Sequence, residues 1–127
     1  MLFPIFFRTT GPVLAGYPLD VPIIPGYSGR IQHVMLFCGS TGTGGDPLVV
    51  DIRKSELSFF SDALKRPRLV ANTGANKRDK TPVCDFAIRD FSAINWISAH
   101  VLSAPTGCHD VSLVIWSDIV LPNTQGI

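Results

Sequence analysis

Short runs of alternating apolar and polar residues recur along the chain, and clusters of turn residues separate them. In "LVVDIRK" (48–54) every second residue from Leu48 to Ile52 is apolar, and the intervening positions include Asp51 and Arg53. A period of two is that of a strand with one buried face. We therefore predict a strand here with its charges facing outward.

Three further runs show the same period. The run "RIQHVMLFCG" (30–39) is mostly apolar on both faces, which is typical of a strand covered on both sides. One face would carry Ile31, His33, Met35 and Phe37, and the other Gln32, Val34, Leu36 and Cys38. The runs "WISAHVLSA" (96–104) and "DVSLVIWSDIVL" (110–121) flank "PTGCH", a five-residue loop of hairpin length.

The turn signals favour an all-β fold. Ten prolines and eleven glycines are spread along the chain between β-branched and aromatic runs. This spacing is typical of an antiparallel β-sandwich or jelly roll. The proline-rich "GYPLDVPIIPG" (16–26) indicates an edge strand, where missing N–H donors do no harm. The segment "SELSFFSDALK" (55–65) fits a helix face and an extended edge equally, and we interpret it as a short turn or strand.

Length and composition indicate one globular domain. The chain has 127 residues, of which 46% are hydrophobic and 17% charged. A chain of this size can bury a hydrophobic core that needs no disulfide bonds. We divide it into an apolar N-terminal segment or arm (1–16), a β-sandwich domain (17–121) and a C-terminal tail (122–127). No apolar stretch approaches the ~20 residues of a membrane-spanning helix, and Pro4 and Arg8 interrupt the opening run. We expect a soluble protein made in the cytosol, with no signal peptide and no membrane partner.

The N-terminal segment presents four large apolar side chains, Phe3, Ile5, Phe6 and Phe7. They would form either a first core strand or an arm that is buried on a neighbouring subunit. Together with the near-all-apolar strands, they favour a homo-oligomer, a trimer or a dimer.

Basic residues are concentrated in one segment, although the net charge is only +1. Six of the eleven lie between positions 65 and 80: Lys65, Arg66, Arg68, Lys77, Arg78 and Lys80. This segment would be either a solvated loop or an electrostatic contact for an acidic partner. No aromatic residue is interleaved for base stacking, so we expect an acidic protein surface and not nucleic acid.

Catalytic and cofactor motifs are absent from the sequence. The glycine-rich stretch Gly39–Asp46 lacks the lysine of a Walker phosphate-binding loop, and Pro47 stands where a dinucleotide-binding motif has its third glycine. We therefore interpret this stretch as a flexible connection between two strands. The histidines have no metal-site spacing, and no G-x-S-x-G motif occurs. Three cysteines without C-x-x-C spacing are expected to be reduced thiols. We predict no catalytic residue, no metal and no cofactor, and hence no enzyme.

Exposed aromatic residues offer one binding alternative. Trp96 and Trp116, with Tyr17 and Tyr27, would form a sugar-stacking platform if they lay together on the surface. Aromatic residues are more often found in the core or at an interface.

The run "VPIIPGYSGRIQHVMLFCGSTGTGGDPLVVDIRKSELSFFS" (21–61) resembles a module of tailed-bacteriophage virion proteins. The matching features are the "VP" strand, the "GTGG" connection, "VVDIRK" and "FFS", and the resemblance extends over Val21–Val120. Two turns depart from it: Ser55-Glu56 stands where Asn-Gly is usual, and "ISAH" where Gly-Asp usually opens the penultimate strand.

The resemblance implies a structural role in the virion, assembled in the host cytoplasm. The implied protein is a β-sandwich or jelly-roll capsid decoration or cement protein that binds the major capsid protein or other virion proteins. The alternative is a carbohydrate-binding or receptor-binding module of a tail fibre.

Overall fold

A computed structural model describes residues 2–40, 42, 45–60, 65–69, 78–82 and 90–120, with only the backbone at 78–82. The described residues contain nine β-strands and no α-helix, which confirms the all-β prediction. The strands are β1 (Leu2–Arg8), β2 (Gly29–Ser40), β3 (Leu48–Lys54), β4 (Leu57–Ser58), β5 (Arg68–Leu69), β6 (Arg78–Pro82), β7 (Asp90–Phe91), β8 (Ile97–Ser103) and β9 (His109–Ile119).

The strands form two antiparallel sheets. The first sheet has the order β1-β9-β2-β6, and β7 also pairs with β2. The second sheet has the order β4-β3-β5, and β8 also pairs with β3. Buried residues of both sheets belong to one hydrophobic cluster, so the predicted antiparallel β-sandwich is confirmed.

Alternate residues of each strand fill the core. In β3 the predicted inward row is correct, since Leu48, Val50 and Ile52 are fully buried, but Val49 and Asp51 of the outward row are buried as well. In β9 the inward row of core residues is Val111, Leu113 and Ile115. Each such side chain contributes roughly 1.5–3 kcal/mol of burial free energy, so the sandwich is held together mainly by these inward rows.

A β-bulge in β2 changes the predicted grouping of its side chains. The register with β9 shifts between Ile31, opposite Ser117, and His33, opposite Trp116. The extra residue places Ile31 on the buried face with Val34. Strict alternation had grouped Ile31 with His33 and Gln32 with Val34. The assignment is wrong for Ile31, and Gln32 is only half-buried and donates to Asp118 Oδ2 at 2.6 Å. The opposite face of β2 is only half-buried, not fully covered, in the part of the chain that the structure describes.

Strands β8 and β9 do not form a hairpin with each other. They belong to different sheets, and the loop from Ala104 to Cys108 carries the chain from one sheet to the other. The amide of Cys108 donates to the carbonyl of Pro105, and Gly107 has a positive φ of 85°. A loop of this length suits either connection, so its hairpin length did not reveal the partners of the strands.

The proline-rich segment 16–26 runs along the edge of β8 that faces away from β3, but it does not form the predicted edge strand. Leu19 donates to the carbonyl of Ala99, and Ile23 and Ile97 exchange two hydrogen bonds of 2.8 Å. These contacts are isolated bridges and not a continuous strand. Interruption by proline is expected at such an edge, because proline cannot donate to the ladder.

A two-residue turn joins β3 to β4, in agreement with the predicted turn or short strand. Lys54 pairs with Leu57, and both residues between them have positive φ, 46° for Ser55 and 74° for Glu56. This is the type I′ geometry that Asn-Gly adopts with least cost. Strands β3 and β4 therefore form a common two-residue hairpin turn, with Ser55-Glu56 in place of Asn-Gly. Positions 61–64 of the segment lie outside the described residues.

The glycine-rich connection contains a backbone contact that explains one of its glycines. Gly42 has a φ of 74°, and a Cβ at this position would overlap the carbonyl oxygen of Thr106 in the β8–β9 loop. Only glycine tolerates both the positive φ and the close approach of the Thr106 carbonyl. This residue therefore serves packing between two loops, while positions 41, 43 and 44 lie outside the described residues.

Candidate functional site

The outward side of the first sheet carries a band of apolar side chains. Phe6 of β1, Val114 of β9 and Met35 of β2 lie opposite one another across three strands. The next row joins Pro4, Trp116 and His33. We call the following seven residues the outer patch: Pro4, Phe6, His33, Met35, Phe37, Val114 and Trp116.

The outer patch is accessible at Phe6, whose side chain is 58% exposed. Phe6, Phe37 and Val114 line a shallow cavity of about 630 Å³ together with Arg8 and Ser112. Pro4 and Phe6 are the exposed members of the outer patch, whereas Val114 is buried and the other members are half-buried. Exposed apolar groups that lie side by side on a small domain are typical of an interaction surface.

Trp116 adds a polar feature to the outer patch. Its ring lies 6.1 Å from the ring of His33, at an interplanar angle of 31°. The indole Nε1 is buried and has no hydrogen-bond acceptor among the described residues. An unsatisfied buried donor costs about 1–3 kcal/mol.

The four N-terminal interface candidates occupy different positions. The segment is strand β1, which pairs with β9 of the same chain from Leu2 to Arg8. Ile5 and Phe7 are buried in the core, and Phe3 packs against Tyr27 at a ring distance of 6.1 Å. Only Phe6 of the four belongs to the outer patch. In this chain, residues 2–8 therefore form the first core strand, and an exchange between subunits remains a proposal.

Strand β1 is an edge strand of the first sheet, and it contains Pro4. Because proline has no N–H group, it interrupts the row of donors that an added strand would need. A partner is therefore expected to contact the face of this sheet and not to extend its edge.

The six basic interface candidates are divided between the two sheets. Arg68 lies in β5 of the second sheet, whereas Arg78 and Lys80 lie in β6 of the first, opposite Phe37 and Met35. The prediction of a loop is thus wrong at 68–69 and 78–82, where short strands pair with β3 and β2. Lys65 is exposed. Lys77 and the side chains of 78–82 lie outside the described part of the chain.

Arg66 has a structural partner that the sequence did not reveal. Asp51 is on the outward side of β3, as predicted, but it is only 1% exposed. Its carboxylate accepts hydrogen bonds from Ser58 Oγ at 2.7 Å, Arg53 Nε at 2.9 Å and Arg66 Nε at 3.0 Å. The expectation that this charge faces solvent is therefore wrong, because two arginines and a hydroxyl cover it.

The pKa of Asp51 reflects two opposing effects. Burial raises it, whereas the hydrogen bonds from Ser58, Arg53 and Arg66 and the charge of Arg66 lower it, and the net pKa lies below the ordinary 3.8. Asp51 is thus a carboxylate at neutral pH and joins β3 to β4 and to residue 66.

A second cavity lies at the outward side of the second sheet. It has a volume of about 460 Å³ and is lined by Pro22, Ser55, Glu56, Trp96, Ser98 and His100, and we call it the Trp96 pocket. Ser98 Oγ and His100 Nε2 share a hydrogen bond of 3.1 Å. Burial and the charge of Arg53 lower the pKa of His100 against the opposing effect of Asp51, so its imidazole is neutral at pH 7.

The structure does not bring the aromatic candidates together. Trp96 lines its pocket at the start of β8, whereas Trp116 lies on the other sheet. Tyr27 packs between Phe3 and Phe91 and hydrogen-bonds to Ser117. A joint platform of Trp96 and Trp116 is therefore wrong, and Trp96 lines a pocket on the second sheet.

Among the described residues, no three His, Cys, Asp or Glu side chains are grouped as metal ligands. No helix in this part of the chain is long and apolar enough to cross a bilayer.

Comparisons with known proteins give a structural match. No protein-family model matches the sequence, and no curated protein matches it. A chain in the capsid of Ralstonia phage GP4 superposes with a TM-score of 0.57 at 16% identity, and the alignment covers 96% of this chain and 86% of that one. A chain of infectious bursal disease virus, Gx strain, gives a TM-score of 0.44 at 15% identity over 91% of this chain, which spans 32% of that one. The first match shows that the sandwich has the fold of a chain found in a phage capsid.

Proposed function

We propose that the protein is a structural component of a bacteriophage virion, a decoration or cement protein that binds the capsid through the outer patch. The observation that carries this proposal is the row of apolar residues across β1, β9 and β2, with Phe6 exposed at one end. The fold shared with a chain of the Ralstonia phage GP4 capsid over nearly the whole length of both chains supports it.

Burial of the outer patch would supply the attraction. Insertion of Phe6 into a pocket of the shell would contribute roughly 1.5–3 kcal/mol, and aromatic anchors of this kind dominate many interfaces.

Basic residues would assist this binding. The backbone places Arg78 and Lys80 opposite Phe37 and Met35, so the basic strand borders the outer patch. Together with Lys65 and Lys77 they would steer the protein towards an acidic shell. Such charges act mainly on the association rate and its salt dependence, and each exposed pair is worth only about 0.2–1 kcal/mol.

The proposed partners are the major capsid protein or other virion proteins, and the proposed location is the virion. We further propose that the free protein is a dimer or trimer, since apolar surface of this kind is seldom left to solvent. Light scattering over a concentration series measures this directly, and a monomer at all concentrations would contradict it.

The capsid proposal is tested with Phe6→Glu, which places a charge on the outer patch without touching the core. Tyr17→Glu is the matched control, because Tyr17 is 57% exposed, similar to Phe6, but lies beside β8 of the second sheet. Both variants are mixed with capsids of the parent phage that lack this protein, and the bound fraction is measured by sedimentation.

We expect Phe6→Glu to weaken capsid binding about tenfold or more, while Tyr17→Glu binds like the wild type. Thermal unfolding of both variants verifies that they are folded. Equal capsid binding by folded Phe6→Glu and wild-type protein would refute the assignment of the outer patch.

A further inference from the structure

The Trp96 pocket is independent of the outer patch, and it contains a strongly exposed aromatic ring. The side chain of Trp96 is 56% exposed. Its backbone is held in place by the turn between β3 and β4, because Ser55 N donates to the carbonyl of Trp96 at 2.8 Å and Trp96 N donates to Ser55 Oγ at 3.4 Å. The ring is thus presented from a fixed backbone and not from a free loop.

The turn that holds Trp96 is strained. Ser55 and Glu56 both have positive φ, a conformation that costs a non-glycine residue roughly 1–2 kcal/mol. Asn-Gly would form the same turn at lower cost. The chain places instead a hydroxyl and a carboxylate at the rim of the pocket. Strain of this kind is typical of binding sites.

The charges around the pocket favour a neutral ligand. The described lining residues include no lysine or arginine, and Glu56 would repel an anion. Arg53 is bonded to Asp51 and does not line the pocket, but its charge lowers the pKa of the His100 imidazole and would also oppose a cation beside that ring. The remaining polar groups are hydroxyls, a carboxylate and a neutral imidazole, which are hydrogen-bond partners of a polyhydroxylated molecule.

We infer that the Trp96 pocket binds a neutral sugar residue. One face of the pyranose ring packs on the indole of Trp96, and its hydroxyls bond to Glu56, Ser98 and His100. A cavity of about 460 Å³ lies within the range of roughly 300–1,000 Å³ that is usual for small-ligand sites. This inference goes beyond the capsid proposal, because a decoration protein with this pocket would also attach the virion surface to glycans.

The probes are the methyl pyranosides of glucose, galactose, mannose and N-acetylglucosamine, measured by saturation-transfer NMR on the full chain. We expect at least one of them to bind. Trp96→Ala should weaken this binding about tenfold or more, and Trp96→Phe should give an intermediate affinity. Ile94→Ala is the matched control, since Ile94 is 81% exposed, lies two residues away and does not line the pocket.

Glu56→Gln distinguishes stacking alone from a shaped sugar site. We expect it to weaken binding several-fold, because the amide is a poorer acceptor than the carboxylate. The methyl glycoside of sialic acid, an anionic sugar, should bind more weakly than the best neutral probe.

Absence of saturation transfer to every neutral probe would overturn the inference, and so would equal binding by folded Trp96→Ala. Stronger binding of the anionic sugar would refute the assignment of a neutral ligand. Capsid binding by Trp96→Ala should equal that of the wild type, so failure of the sugar site and failure of the capsid proposal are distinguishable.

Discussion

Arg66 donates a hydrogen bond from Nε to Oδ1 of Asp51 at 3.0 Å, and this contact attaches residue 66 to the outward side of β3. Arg53 binds the other carboxylate oxygen at 2.9 Å. The side chain of Asp51 is 2% exposed, against 20% for Arg66 and 33% for Arg53, so the carboxylate is inside the protein and its partners reach the surface.

Asp51→Asn should destabilise the protein, because it leaves two arginines without their shared carboxylate. We expect a loss at the lower end of roughly 3–5 kcal/mol, since both arginines keep some contact with water. Urea unfolding measures it. Asp46→Asn, at an exposed position, is the control and should change stability by less than about 0.5 kcal/mol. Equal stability of the two variants would contradict the structural role of Asp51.

Asp51 should also make stability depend on pH. Its folded-state pKa is lower than the ordinary 3.8, so the unfolded chain binds the proton more readily. The contribution of this carboxylate is therefore fully present above about pH 5 and is lost as pH falls through 3.8 towards the lowered value. The stability difference between wild type and Asp51→Asn, measured by urea unfolding across this range, should be constant above pH 5 and shrink below pH 4. A constant difference down to pH 2 would disagree with the lowered pKa.

Replacing Ser55-Glu56 by Asn-Gly should stabilise the hairpin by about 1 kcal/mol, because the new residues adopt positive φ more easily. Glu56→Ala is the matched control: it removes the carboxylate but retains an L-residue at positive φ, and it should give no gain. Urea unfolding of the three proteins separates these effects. The Asn-Gly variant should at the same time bind the best sugar probe more weakly. A more stable variant with unchanged sugar affinity would show that the strained turn does not serve the pocket.

Gly42→Ala should destabilise the protein by roughly 2–4 kcal/mol, since the new Cβ combines positive φ with overlap of the Thr106 carbonyl oxygen. Gly16→Ala provides the comparison, because Gly16 also has a positive φ, 89°, but faces open space. It should lose only about 1–2 kcal/mol. Thermal and urea unfolding give both values, and equal losses would mean that the approach of the two loops is unimportant.

Cys38 and Cys108 are buried, and burial together with the neighbouring Cys38 raises the pKa of the Cys108 thiol to about 11. We expect both to react slowly with Ellman's reagent at pH 8 in the folded protein, because the thiolate is the reactive form. In denaturant, all three cysteines of the chain should react at once. Fast reaction of Cys108 in the native state, identified by peptide mapping, would contradict its burial.

Some features of the fold depend on residues that are adjacent in the sequence, and others depend on residues that are far apart. The inward row of β3 and a short turn or strand after it were predictable, because each depends on adjacent residues. The shift of Ile31 was not, since a bulge is defined by the pairing of two strands that are distant in sequence. The same is true of the buried carboxylate of Asp51, whose partner Arg66 lies fifteen positions away.

The candidate surfaces were predictable only in part. Phe6 and Trp96 were among the candidates, but the sequence did not show that Ile5 and Phe7 point into the core, or that the two tryptophans lie on different sheets. Which face a strand presents depends on its register, and a loop length does not determine the neighbour of a strand.

Strand β9 lies between β1 and β2 and pairs with both. During synthesis, the two flanking strands leave the ribosome long before the strand that joins them, so the first sheet has no centre until residue 119 has been added. Because β9 pairs with strands that are distant in sequence, the first sheet forms slowly and late in the synthesis of the chain. The rows of the outer patch are likewise completed only when β9 takes its place, so an unfinished chain does not yet present this surface to any partner.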